Sequence, residues 1–240
     1  MIVKGFVRGA PLALACAALL ALGAAGCGAG SNGQSAAERV KESGFRGIML
    51  EHPVEKTDFT LTDTNGQPYH FRAETDGGVT LLFFGYTSCP DVCPVHMANL
   101  AAVIKDFPRD VRQQLKVVFV TTDPERDTPA RIREWLDAFD PQFVGLTGSR
   151  EEVNRIQTEL GLPPAVSQDR PGGGYAIGHA SQVLAFGRDN IARLAYPFGT
   201  RQADWAYDLP KLVRDEPVTS GADPSTAAAD EAAHAEHGEH

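Results

Sequence analysis

Apolar positions along this chain fall into short runs and helical stripes, separated by turn-forming residues. Phe59-Thr60-Leu61-Thr62 and Tyr69-His70-Phe71 flank Asn65-Gly66. This predicts a β-hairpin, because Asn-Gly accepts the positive φ of a tight turn. Residues 79–84 form an apolar run, as expected of a strand buried on both faces. A helix should follow, with Leu100, Val103, Ile104 and Phe107 on one face at spacings of three and four and Pro108 closing it. Residues 116–121 read as a second buried strand. Thr128-Pro129 offers an N-cap and a proline at the first helical position, opening a helix with Ile132, Trp135, Leu136 and Phe139. Residues 143–146 are a short strand. Ser149 caps a helix carrying Val153, Ile156 and Leu160, which stops at Gly161. Residues 182–186 and 191–195 predict a second hairpin around Arg188-Asp189-Asn190, and a last helix holds Trp205, Leu209 and Leu212.

Strand and helix alternate early, and a hairpin plus a helix come late. That order predicts an α/β domain with a mixed central sheet and helices on both faces. It is the order of a thioredoxin-like fold, which carries a dithiol where its first main strand meets a helix. The domain is expected over residues 45–215, and no internal repeat is present.

The ends of the chain change the picture. Lys4 and Arg8 precede an apolar stretch over residues 10–22, and small residues follow. This predicts an export signal over residues 1–26. Cys27 follows Ala24-Ala25-Gly26, which resembles a bacterial lipobox with Ala24 where Leu is usual. Lipidation of Cys27 is expected, with the Gly- and Ser-rich residues 27–44 as a flexible tether. Residues 216–240 have no apolar period and predict a disordered tail. Its His234, His237 and His240 among glutamates would either capture Cu(II) or zinc or be plain solvated chain. The expected location is the extracytoplasmic face of the cell membrane. The formal charge of -9 excludes a nucleic-acid partner, which would need a dense basic face.

Of four cysteines, Cys16 leaves with the signal and Cys27 is assigned to the lipid, so only Cys89 and Cys93 remain in the body. Outside the cytoplasm such a pair is a disulfide, a redox couple or a metal site. Cys89-Pro90-Asp91-Val92-Cys93-Pro94 sits where a buried strand gives way to a helix, whose N-terminus favours thiolate. If the segment is helical, residues four apart share a face and both sulfurs reach one ion. Soft sulfur ligands select Cu(I). Imidazole is another common ligand for such an ion, and the body offers His52, His70, His96 and His179. His70 falls in the early hairpin, and His96 points around the helix from Cys93. A lone His is more often structural than a ligand.

Three segments together are similar to the Sco/SenC family. They are Tyr86-Thr87-Ser88-Cys89-Pro90-Asp91-Val92-Cys93-Pro94, then Thr121-Thr122-Asp123-Pro124-Glu125-Arg126-Asp127-Thr128-Pro129, then a lone His179 before a strand. The resemblance spans roughly residues 50–215. It implies a thioredoxin-like, membrane-tethered copper chaperone for cytochrome c oxidase assembly. Cys89 and Cys93 would be the copper thiolates and His179 the third ligand; the expected cofactor is copper, as Cu(I), with Cu(II) as the alternative form. The implied partner is the apo copper-site subunit of the oxidase, with other copper carriers as further partners. One residue departs from the family, which usually has Asp before that His where this chain has Gly178.

The same residues also suit a thiol-disulfide oxidoreductase that keeps copper-ligand cysteines of the target reduced. Cys89 would attack and Cys93 resolve. The extra residue between the cysteines favours metal, as does the absence of proline just before the strand at 182. Residues 123–129 read mainly as helix-start chemistry, with Asp123 near the copper loop. Gly172-Gly173-Gly174 is either a mobile loop that lets His179 swing toward the thiols or a plain surface turn.

Overall fold

The computed structural model describes residues 43–169 and 173–218. The predicted signal, Cys27, most of the tether and the tail histidines lie outside the described residues.

Eight strands form one sheet in the order β1-β10-β9-β4-β5-β6-β2-β3. At its centre lie β4 (Val79–Gly85) and β5 (Leu115–Thr121), parallel to each other, with β6 (Val144–Thr147) parallel beyond β5. On the other side of β4, β9 (Val183–Phe186), β10 (Ile191–Tyr196) and β1 (Ile48–Glu55) run antiparallel to their neighbours. The far edge is the hairpin of β2 (Thr60–Asp63) and β3 (Pro68–His70).

Alternation along the central strands sends side chains to opposite faces. Leu81 and Phe83 of β4, Val117 and Phe119 of β5, and Val183 and Ala185 of β9 enter one core cluster. Leu82, Phe84, Val118, Val120, Leu184 and Phe186 enter the other. The first cluster is covered by α2 (Val92–Lys105), α4 (Pro129–Asp137) and α6 (Gln202–Val213), through residues such as Met97, Leu100, Leu136, Trp205 and Leu209. The second is covered by α1 (Phe71–Thr75) and α5 (Arg150–Glu159), through Phe71, Val153 and Ile156. Each buried Leu or Val stabilises the fold by roughly 1.5–3 kcal/mol. A short helix, α3 (Arg109–Arg112), leads into β5. This is the predicted mixed sheet with helices on both faces, a thioredoxin-like α/β fold.

The caps are as expected: Thr128 Oγ1 accepts from Arg131 N–H at 3.3 Å and Ser149 Oγ from Glu152 N–H at 3.2 Å. Three details differ. Phe71 starts α1 rather than ending a strand. Helix α2 ends at Lys105, and Phe107 follows in a turn bonded to Ile104. The Asn65-Gly66 turn is wider than a two-residue hairpin, because Asp63 Oδ1 accepts from both Asn65 N–H and Gln67 N–H at 2.8 Å. Three residues, 64–66, form the loop, Asp63 N–H donates to Gln67 O at 2.8 Å across it, and the strand register follows from Thr62 opposite Pro68.

Two features have no strong apolar signature. Strand β1 carries Glu51, His52, Pro53 and Glu55, and it pairs with β10 through an irregular register, as an edge strand can. Strands β7 (Val166–Asp169) and β8 (Tyr175–Gly178) form a separate two-stranded hairpin. Gly173 and Gly174 have φ of 98° and 77° in the turn of that hairpin. The Gly-rich segment thus joins two strands; its Gly172 lies outside the described residues.

Candidate metal centre

Both cysteines follow β4, but not on one helical face. Helix α2 begins at Val92, so Cys93 is its second residue and Cys89 lies in the turn before it, where Cys89 N–H donates to Tyr86 O at 3.1 Å. The expectation of two sulfurs one helical turn apart is corrected accordingly. They converge because Cys89 folds over the helix N-terminus, and Cys93 N–H approaches Cys89 Sγ at 3.5 Å. The N-cap residue Asp91 makes no side-chain cap bond. A sulfur therefore takes the place an oxygen usually fills at a free helix N–H.

Sheet order delivers the third group. Strand β9 runs antiparallel beside β4, with Leu82 opposite Leu184. The segment entering β9 must therefore arrive where β4 ends, beside the cysteine turn. His179 lies in that segment, and its Nε2 stands 3.6 Å from Cys93 Sγ. The ligand atoms of Cys89, Cys93 and His179 all lie within 4.8 Å of one another. Both cysteines are free thiols.

The imidazole is oriented on three sides. His179 Nδ1 lies 2.7 Å from Ala180 O. A carbonyl can only accept, so Nδ1 carries a proton there, and Nε2 is the nitrogen that faces the sulfurs. Tyr86 and Phe83 meet the ring edge-on, with centroids 5.6 and 5.9 Å away.

The two thiols are driven apart in acidity. The Cys93 thiol, donating to Cys89, holds Cys89 down to about 3 against the opposing effect of burial; His179 and the amides of Asp91 and Cys93 add to the lowering. Burial pushes Cys93 far up, and the neighbouring Cys89 sulfur adds to that. Cys93 is fully buried and Cys89 half-buried, so the pair presents one accessible thiolate backed by one inner thiol. With an ion bound, both sulfurs and the Nε2 lone pair would face it. This donor set suits a soft cation.

The other histidines among the described residues stand apart. His70 Nδ1 pairs with Thr60 Oγ1 at 2.9 Å, and His52 is exposed on β1. His96 points inward: its Nε2–H donates to Ser181 O at 2.9 Å, two residues past His179, and burial lowers its basicity. It supports the backbone of the ligand segment and contributes no ligand.

Residues 123–129 brace both halves of the site. Asp127, fully buried, accepts from Thr87 N–H at 2.9 Å, Thr87 Oγ1 at 2.5 Å and Thr121 Oγ1 at 2.6 Å. Arg131 adds Thr87 Oγ1 at 2.7 Å and Ser88 Oγ at 3.2 Å. The turn carrying Cys89 is thus tied to β5 and α4. Asp123, also fully buried, faces the other way and accepts from Tyr175 O–H at 2.8 Å on β8. The run reads in sequence as helix-start chemistry. Asp127's hold on the cysteine turn and the part played by Tyr175 have no local signal.

A sequence profile described as SCO1/SenC matches residues 49–214. A Stutzerimonas stutzeri protein named for copper binding is 38% identical over 149 residues, covering 61% of this chain and 71% of that one. A Rickettsia felis SCO2-like protein is 34% identical over 125 residues; the match covers 52% of this chain and 60% of the relative's length. Among solved structures, Bradyrhizobium japonicum ScoI with copper bound superposes with a TM-score of 0.59 at 31% identity, over 66% of this chain and 99% of that one. The solution structure of apo Sco1 from Thermus thermophilus gives 0.62 at 32% identity, over 70% and 96%. With the profile spanning well over half of its residues, the chain belongs to the SCO1/SenC family.

Proposed function

We propose that this protein is a copper(I) chaperone that holds one ion on Cys89, Cys93 and His179 and passes it to the apo copper-site subunit of cytochrome c oxidase. The observation that carries this reading is the meeting of two sulfurs and one ring nitrogen within 4.8 Å. A thiolate-rich donor set with one imidazole favours Cu(I) over hard ions. Half-exposed Cys89 gives an incoming ligand access, so the ion can leave by ligand exchange without unfolding. A relative at 31% identity has been solved with copper bound, which supports the same cargo here.

We place the protein at the extracytoplasmic face of the membrane, with a lipid on Cys27 and a tether over residues 27–44. The export signal, the residues before Cys27 and the Gly- and Ser-rich stretch after it support this. Among the described residues, no helix is long and apolar enough to cross a membrane.

The test is a titration of the reduced protein with Cu(I) against a chromogenic chelator. One ion per chain is expected. Cys89→Ser and Cys93→Ser each abolish retention, and His179→Ala weakens it. X-ray absorption on the loaded protein should count two sulfur neighbours and one nitrogen. Absent copper retention, with rapid turnover of a generic disulfide substrate, would replace this reading with the thiol-disulfide oxidoreductase. Radiolabelled fatty acid should enter the wild type and not Cys27→Ala.

A further inference from the structure

Among the described residues, the β7–β8 hairpin that delivers His179 pairs only with itself, and β7 is exposed along its whole length. Its ties to the rest of the fold, among the described residues, are few. At its start, Asn154 brackets Ala165, accepting from Ala165 N–H at 3.0 Å and donating to Ala165 O at 3.4 Å. Within it, Ile177 is buried in the core. Just past it, buried His96 holds Ser181 O.

The remaining tie is Tyr175. Its hydroxyl donates to Asp123 Oδ1 at 2.8 Å and its carbonyl accepts from Arg126 Nη1 at 3.3 Å. Its ring lies 4.0 Å from the Arg126 guanidinium, a cation-π distance. Arg126 is ion-paired with Asp123, and Arg150 Nη2 lies 3.6 Å from the same carboxylate. Two positive charges thus hold a fully buried carboxylate in place, and that carboxylate receives the tyrosine.

Strand geometry gives this tie its consequence. Side chains alternate along a strand, so Tyr175 and Ile177 share one face of β8, and His179 follows directly after its last residue. Gly178 falls on the other face and is exposed. Holding Tyr175 and Ile177 against the body fixes the end of β8, and with it the direction in which His179 leaves the strand toward the sulfurs. Ile177 supplies area without direction. The Tyr175 hydrogen bond fixes rotation of the strand about its own axis.

We propose that Tyr175, gripped by Asp123 and Arg126, is a positioning residue for His179, setting the direction of β8 so that the imidazole stays at the sulfurs. The inference rests on the copper-ligand reading of Cys89, Cys93 and His179. It assigns residues 123 and 126 a task in the site beyond starting a helix.

The test is a double-mutant cycle in the full-length protein, using Tyr175→Phe, His179→Ala and both together. Tyr175→Phe removes only the hydroxyl and keeps the ring under Arg126, so the variant folds. In the apo protein, amide exchange over residues 175–178 should quicken, and the His179 ring NMR signals should shift. Cu(I) affinity should fall roughly tenfold, the size seen when groups supporting a metal ligand are removed. In the His179→Ala background, Tyr175→Phe should change affinity less than about twofold, because its effect runs through the imidazole. Equal losses in both backgrounds would overturn the proposal, and so would no loss in either. Should the wild type retain no Cu(I), the functional reading falls by itself. The apo measurements then decide, and unchanged exchange with unchanged His179 signals would overturn the positioning role.

Discussion

Gly85 ends β4 at the point where the chain passes Cys93, and Gly85→Ala tests how tightly the site is built into the core. A Cβ there would lie 2.8 Å from Cys93 Sγ, 2.8 Å from a Phe83 ring carbon and 3.0 Å from a Phe119 ring carbon. Ordinary contact begins at 3.4 Å, so the sulfur and the Phe83 ring would each have to yield about 0.6 Å (3.4 − 2.8). All three neighbours are fully buried, and none is the free end of a flexible side chain. Overpacking of this kind costs ~1–3 kcal/mol. The displaced sulfur is also a ligand, and binding sites tolerate misplacement of only about 0.5 Å. The apo variant should therefore lose ~1–3 kcal/mol in urea denaturation, with Cu(I) affinity down by about tenfold, equivalent to ~1.4 kcal/mol. Gly178→Ala is the control, since its Cβ would meet Gln168 Nε2 at 3.6 Å and Val166 O at 3.7 Å, which is ordinary contact. A Gly85→Ala protein with wild-type urea midpoint and wild-type copper affinity would refute the argument.

The remaining predictions concern the thiolate, the brace and the core. With its folded value held near 3, far below the ordinary 9.0, Cys89 is already thiolate through the neutral range. Its alkylation rate by iodoacetamide should stay flat between about pH 5 and 8, whereas an ordinary thiol gains about tenfold per unit there; a climbing profile would contradict the hydrogen-bonded thiolate. By the same shift, Cys89 contributes stability to the apo fold that is present in full above the unfolded value and lost as pH falls toward 3. Asp127→Ala strands the buried Thr87 N–H and its hydroxyl, so stability should fall by ~1–3 kcal/mol per unpaired group. Cu(I) retention should fall with it, read by the same chelator competition. Leu82→Ala, on the face away from the metal, should cost ~2–5 kcal/mol in stability and leave copper affinity within twofold. A large affinity loss there would couple the far cluster to the site.

What could be read from the chain alone was whatever depends on neighbours in sequence. The runs at 79–84 and 116–121 are apolar on both parities because both faces of a central strand are covered, and they became β4 and β5. Thr128 and Ser149 announced helix starts because a cap acts over three residues. The cysteine pair was visible at a strand-helix junction, since motif and junction are both local. His179 was one of four candidate histidines in the body, and resemblance was needed to assign it, because its contact with Cys93 spans 86 residues.

The tertiary structure decided everything that hangs on strand order. Placing β9 antiparallel beside β4 brings the residues entering β9 to the cysteine turn, and no local period encodes that choice. It also made the β7–β8 hairpin from segments with little apolar pattern, tied to the body through Asn154, buried Ile177 and the Asp123–Tyr175 bond. The position of Cys89 as a cap on α2, in place of the expected helical pairing, follows from where the helix can begin once Asp127 holds the turn. Sequence carries period, turn and cap signals because these act over a few residues. A three-ligand site joins segments whose distance is set by the sheet, so it exists only once the sheet has formed.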